Sequence, residues 1–187
     1  MPFLIVILAF AQPTWKSVMA GVILMLLGEA IRLWGVGYAG FITRTRNVGA
    51  DVLVTSGPFS LIRNPLYAGN FFISLGACAA FNAFMPWILV IFAGLYALQY
   101  HFIVRLEEAT LESKFGEVYR RYCSRVPRLF PTFRKYDEPS AVSFNGVVAF
   151  ANERKTFVSI SVVTVASIAY TLFGNPLLPW IKSLLSV

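Results

Sequence analysis

Apolar residues run along this chain in blocks of bilayer length, and the polar residues collect between them. Residues 17–41 form the first long block, interrupted by Glu29 and Arg32. A second runs from about Leu66 to Ala80, a third over about Trp87–Val104 and a fourth over about Phe157–Phe173. A bilayer core takes roughly 20 apolar residues of helix, and lipid offers the backbone no hydrogen-bond partner. Each block is therefore predicted to be a spanning helix. Asn82 through Pro86 predict a tight turn, which makes the second and third spans a helical hairpin with both outer ends on one side. The opening stretch up to Trp15 lacks the basic start of a signal peptide and is too short for a comfortable span. It predicts a short or partly inserted helix ending near Pro13. Gly174-Asn175-Pro176 closes the fourth span and leaves a short amphipathic tail carrying Lys182.

Two polar blocks remain. Residues 42–63 are punctuated by Arg44, Arg46, Asp51 and the turn-like Ser56-Gly57-Pro58. Between the third and fourth spans, Leu111, Phe115, Val118, Tyr119 and Tyr122 recur at i, i+4, i+7, i+8 and i+11, one apolar stripe of a helix. The other face carries Glu112, Lys114, Glu117, Arg120 and Arg121. Such a helix suits a membrane surface or the mouth of a bundle, and Val126-Pro127 ends it, because proline disfavours helix in the residue before it.

Composition strengthens this reading. Of 187 residues 57% are hydrophobic and 13% charged, about half the charge that a soluble domain carries. No Ser/Gly-rich linker or repeat divides the chain, so residues 1–187 are expected to form one integral membrane domain. The expected fold is all-α: a multi-pass transmembrane helical bundle of four spans plus a short N-terminal helix, with a cytoplasmic amphipathic helix capping the site. The net charge of +7 does not point to nucleic acid, because position explains it. Of the 16 Lys and Arg, all but Lys16, Arg32 and Lys182 lie within 44–63 or 105–155, the distribution of cytoplasmic loops. Cys78 and Cys123 make neither a disulfide framework nor a metal pattern, and His101, the single histidine, excludes the usual His-rich zinc sets.

Candidate chemistry sits at the span ends. Arg63-Asn64-Pro65-Leu66-Tyr67-Ala68-Gly69 opens the second span, and Glu107-Glu108 closes the third, both on the basic face. His101, Arg105 and Glu108 are spaced i, i+4, i+7 and share a helix face. Inside the first span, Glu29 and Arg32 stand three apart and can pair, either as a self-neutralised lock between helices or as part of a site. Gly35, Gly37 and Gly40 thin the same helix, which permits a close neighbour.

Gly57-Pro58-Phe59, the Arg63–Gly69 stretch, Glu107-Glu108, Phe115-Gly116-Glu117-Val118-Tyr119, Tyr122 and Arg125-Val126-Pro127 occur in that order over about residues 30–131. In this the chain resembles the isoprenylcysteine carboxyl methyltransferase family, with its arginine-histidine-proline-x-tyrosine-x-glycine motif, paired glutamates and terminal arginine-valine-proline. The related phospholipid methyltransferases share the first motif and the acidic pair. The resemblance implies an S-adenosylmethionine pocket built by the helix hairpin and capped by the segment after it. Asn64, Pro65, Tyr67, Gly69, Glu107 and Glu108 would line the cofactor, with His101 beside them. Arg63 and Arg125 would act near the transferred methyl or the acceptor, a lipid-like or prenylated molecule. It also implies a compact prokaryotic-type member in the inner or plasma membrane, its site facing the cytoplasm. One position departs, because Asn64 stands where the family has histidine. Asn keeps a donor and an acceptor but does not titrate.

The residue types suit that chemistry. Carboxylates and a tyrosine ring hold cationic groups, and an arginine holds a carboxylate bidentately. Methyl transfer from a sulfonium to a carboxylate cancels both charges, so a dry site favours it and no base is needed. An amine acceptor would have to lose a proton, to His101 or a carboxylate. Two other readings stay open. A membrane sterol- or steroid-reductase-like enzyme would bind NADPH at the same face. A non-enzymatic scaffold would use the basic loops to bind anionic lipid.

Overall fold

The computed structural model describes residues 7–40 and 52–177 of the chain. Among the described residues four long α-helices follow one another: α1 Trp15–Ala39, α2 Pro65–Phe81, α3 Trp87–Arg125 and α4 Gly146–Phe173, with a turn of 3-10 helix at Gly57–Ser60 before α2. Among the described residues there is no strand. Helices α1, α3 and α4 are long and apolar enough to cross a membrane, whereas α2 has 17 residues and is shorter. Of the short helix expected at the start, residues 7–9 are helical; residues 1–6 and the tail carrying Lys182 lie outside the described residues.

Local chemistry explains the helix starts. Thr14 caps α1 reciprocally with Ser17: the Ser17 amide donates to Thr14 Oγ1 at 3.2 Å and the Thr14 amide to Ser17 Oγ at 2.8 Å. Asn145 caps α4 by accepting the Val148 amide at 3.1 Å on its side-chain oxygen. That cap starts α4 eleven residues before the apolar block, so Asn152, Glu153, Arg154 and Lys155 belong to its first turns and not to a loop.

The third span and the surface helix, expected as separate pieces, follow on without a gap from Trp87, and the helix is broken instead by a kink inside the predicted stripe before it ends at Arg125. Its single break is Gly116, at φ 53° and ψ −124°, a conformation open to glycine and closed to residues with a Cβ.

The chain divides into two compact units. The first comprises Met1–Leu27, Phe71–Tyr96 and Thr156–Val187. Its core gathers Ile7, Ala11, Cys78, Phe81, Ala83 and Ile88. Here α1 and α2 approach backbone to backbone: a Cβ on Gly21 would lie 2.5 Å from the Gly76 carbonyl oxygen, and one on Gly76 equally close to that of Gly21. Small residues at such a crossing let helices touch where lipid supplies no hydrophobic drive. Phe71 stacks on Phe92 at 5.8 Å and meets Tyr96 edge-on at 5.2 Å, pairing α2 with α3. The Asn175 amide nitrogen donates to the carbonyls of Leu8, Ala9 and Ala11.

The second unit comprises Gly28–Asn70 and Ala97–Lys155. Tyr119, Tyr122, Val126 and Tyr136 form its buried apolar cluster, with Leu53, Leu111, Phe115 and Cys123 against them. Of the predicted stripe of the surface helix, Tyr119 and Tyr122 are buried and Leu111 and Phe115 partly so, whereas Val118 is exposed. The Tyr122 hydroxyl donates to the Phe59 carbonyl at 2.7 Å, tying α3 to the turn before α2. The segment after α3 runs along that turn through backbone hydrogen bonds: Arg63 N to Pro127 O, Thr132 N to Leu61 O and Tyr136 N to Ser60 O, at 2.9–3.1 Å. Thr55 and Ser56 extend the contact to Glu138 and Ser140.

Candidate active site

The start of α2 and the charged stretch of α3 meet within the second unit. The Tyr67 hydroxyl donates to Glu107 Oε2 at 2.7 Å, and the Tyr67 ring lies 4.7 Å from that of Tyr100. Arg63 Nη1 donates to Glu108 Oε1 at 3.0 Å. Arg128 reaches the same carboxylate, with Nε 3.1 Å from Oε1 and Nη2 on Oε2. Glu108 is thus gripped by two guanidinium groups while its side chain keeps 14% exposure. Its hydrogen bond pushes the Arg128 guanidinium above its ordinary range.

Two donors in this cluster are buried with no hydrogen-bond partner among the described residues: Arg63 Nε and Asn64 Nδ2. Buried donors are almost always paired, so these two point to an acceptor that completes the site. Pro65, buried, opens α2 directly after them, where a missing amide proton does no harm.

The remaining predicted residues lie apart from that cluster. Gly69 faces α1: a Cβ there would lie 2.7 Å from the Gly28 carbonyl oxygen and 2.5 Å from Arg32 Cγ. Its smallness serves helix packing. His101 is exposed, edge-on to Phe102. Arg125 is also exposed and pairs with Asp137 at 3.0 Å. The arginine that joins Arg63 on Glu108 is instead Arg128, which the sequence reading did not single out. Its place directly after Arg125-Val126-Pro127 was the available signal.

A second polar cluster is buried among α1, α2 and α4. Arg32 donates to Glu153 through Nε at 3.1 Å and Nη2 at 2.7 Å, and its Nη1 bonds Asn70 Oδ1. The Glu29 pairing expected from spacing is present only at 3.9 Å, and both Glu29 oxygens are buried without a hydrogen bond. Glu153 outcompetes Glu29 because it meets the guanidinium fork with two oxygens. Among the described residues no three His, Cys, Asp or Glu side chains gather into a metal-binding set.

A phospholipid methyltransferase family model matches residues 16–118. The chain belongs to the phospholipid methyltransferase family. It is similar to the cobalt-zinc-cadmium resistance protein CzcN of Cupriavidus metallidurans, 33% identical over 141 residues, which cover 72% of this chain and 61% of that protein. It is also similar to the protein-S-isoprenylcysteine O-methyltransferases of Xenopus laevis and Homo sapiens. These are 34% and 29% identical, over 64% of this chain in each case. The matched part spans 42% and 43% of their own lengths. No solved structure matches the chain.

Proposed function

We propose that this protein is a membrane methyltransferase that moves a methyl group from S-adenosylmethionine to the carboxylate of a lipid-like or prenylated acceptor. The observation that carries the reading is the cluster of Glu107, Glu108, Tyr67 and Arg63 with two buried unsatisfied donors at the mouth of α2. Family membership supports the same class of reaction, and the named O-methyltransferases support a prenylated acceptor.

The residues present fit such a cofactor. S-adenosylmethionine, when bound, supplies a methyl on a sulfonium, together with an ammonium and a carboxylate. The Glu107 carboxylate, oriented by the Tyr67 hydroxyl, offers a hydrogen-bond acceptor and a negative charge to a cationic group. Arg63 Nε and Asn64 Nδ2 offer donors to a carboxylate or a ring nitrogen. Asn64 acts here as a binding group, so its replacement of histidine leaves methylation of a carboxylate intact, since that step releases no proton. Glu108 fixes Arg63 and Arg128 side by side, which concentrates positive charge where an acceptor carboxylate would approach. Arg125, exposed beside Asp137, would meet the acceptor from the solvent side. In this reading the basic segments face the cytoplasm of a prokaryotic cell, and the chain works as a single domain.

Titrating the purified protein with S-adenosylmethionine and with NADPH tests the cofactor. Labelled-methyl transfer to a prenylated cysteine and to an amine-bearing phospholipid tests the acceptor. Binding of NADPH without S-adenosylmethionine would replace this reading with a reductase, and transfer to the amine alone would overturn the carboxylate.

A further inference from the structure

The segment that follows Arg128 is held firmly yet leaves its apolar side chains uncovered. Backbone hydrogen bonds pin it at Pro127, Thr132 and Tyr136, and Tyr136 is buried in the tyrosine cluster. Between these anchors Leu129, Phe130 and Phe133 are 71%, 81% and 104% exposed. A loop free to move would fold such side chains inward. This one is fixed by its main chain, so three large apolar groups within five residues stay outside. Clusters of that kind mark a surface that something covers.

The charges beside them identify the cover. Arg120, Arg121, Arg125 and Arg128 each have a carboxylate partner. Arg134 and Lys135, next to Phe133, have no ion-pair partner among the described residues, and the nearby acids Asp137 and Glu138 are already taken by Arg125 and Arg121. Apolar side chains flanked by free cations match the boundary between acyl chains and headgroups, where the rings enter and the cations meet lipid phosphates. A chain with three helices of membrane-crossing length has that boundary at hand.

We propose that Leu129–Lys135 is a rigid foot seated in the headgroup layer of the chain's own membrane, with Phe130 and Phe133 inserted and Arg134 and Lys135 selecting anionic lipid. The foot is covalently continuous with Arg128, so it sets the depth of the Glu108 cluster relative to the lipid surface. The inference rests on exposure, pinning and charge, and it holds whether or not the protein transfers methyl groups.

Phe133→Trp in the full chain, reconstituted in nanodiscs, provides the probe, since a fully exposed side chain is replaced without disturbing the core. The added emission, taken as the difference from the parent protein, is expected to be blue-shifted and quenched by lipids brominated near the top of their acyl chains. Quenching should be at least twofold stronger in discs containing phosphatidylglycerol than in purely zwitterionic ones. That difference should vanish with Arg134→Gln and Lys135→Gln together. Solvent-like emission quenched by aqueous iodide would overturn the foot. Shielding from both quenchers would overturn it too, by assigning the surface to another protein or a second copy. Equal quenching in both lipid mixtures would overturn the anionic preference.

Discussion

Arg32 and Glu153, 121 residues apart in sequence, are joined in the second unit by three contacts of 2.7–3.1 Å, and the Glu153 side chain is only 1% exposed. The pair ties α1 to α4 with charge where apolar contact would otherwise have to suffice. Charge buried this deeply must be partnered, so the pair also dictates which faces of the two helices meet.

Removing one partner is expected to be far worse than removing the neighbouring acid. Glu153→Gln should destabilise the protein by roughly 3–5 kcal/mol, because a guanidinium is left buried and underpaired. Glu29→Gln should stay within about 0.5 kcal/mol of the parent or stabilise it, since its oxygens already lack hydrogen bonds. Denaturant unfolding in detergent micelles reads both, and equal losses would mean that Glu29 shares the role.

At the site, Tyr67→Phe removes one hydroxyl and leaves the ring. We expect S-adenosylmethionine binding to weaken by about 0.5–1.5 kcal/mol, the net worth of one hydrogen bond. Glu108→Gln should weaken it more, by roughly 1.5–3 kcal/mol, as it loosens two arginines together. Calorimetry on folded variants decides, and unchanged affinity in both would detach the acidic pair from the cofactor.

The arginines should separate on replacement by lysine. Arg63 and Arg128 converge on one carboxylate, and Arg128 uses two nitrogens of its planar fork, which lysine lacks. Both changes are expected to lower methyl transfer at least tenfold. Arg125 makes a single exposed contact to Asp137, so Arg125→Lys should lose less. The opposite order would make Arg125, and not Arg63 and Arg128, the main hold on the acceptor.

Gly76→Ala should destabilise by about 1–3 kcal/mol, because the added methyl would press on the Gly21 carbonyl and the Met25 backbone, which cannot give way as a flexible side chain would. A thermal melt compares it with Gly94→Ala, where a Cβ meets nothing within 4 Å.

For topology, a cysteine at Glu117, whose side chain is exposed, should react with a membrane-impermeant thiol reagent in inverted vesicles and resist it in intact cells. Ready labelling from outside would reverse the proposed orientation.

Much of this was legible in the sequence. Apolar blocks gave the helices, and the motif order brought Arg63, Tyr67, Glu107 and Glu108 together. Two things were hidden. Glu153 lies in a polar run that reads as loop until Asn145 is recognised as a cap, so its reach to Arg32 has no local signal. Arg128 sits beyond the proline that ends α3, and its approach to Glu108 depends on backbone pairing between Arg63 and Pro127, a long-range contact that no periodicity reports. Arg125 and Arg128 were indistinguishable by charge. Only the path of the chain past Pro127 tells them apart.

That path begins at Gly116. A Cβ added there would touch nothing within 4 Å, so no neighbour enforces the bend. What forbids other residues is a torsion, φ 53° with ψ −124°. Upstream the helix passes from an apolar stretch into the charged turns that carry Glu107 and Glu108, and downstream it is buried through Tyr119 and Tyr122. The two stretches meet at a joint whose angle is kept by the lack of a single methyl group. A mutation there would displace Arg128 without altering any side chain in the site, so its effect would look like a catalytic defect while its origin was purely one of bearing.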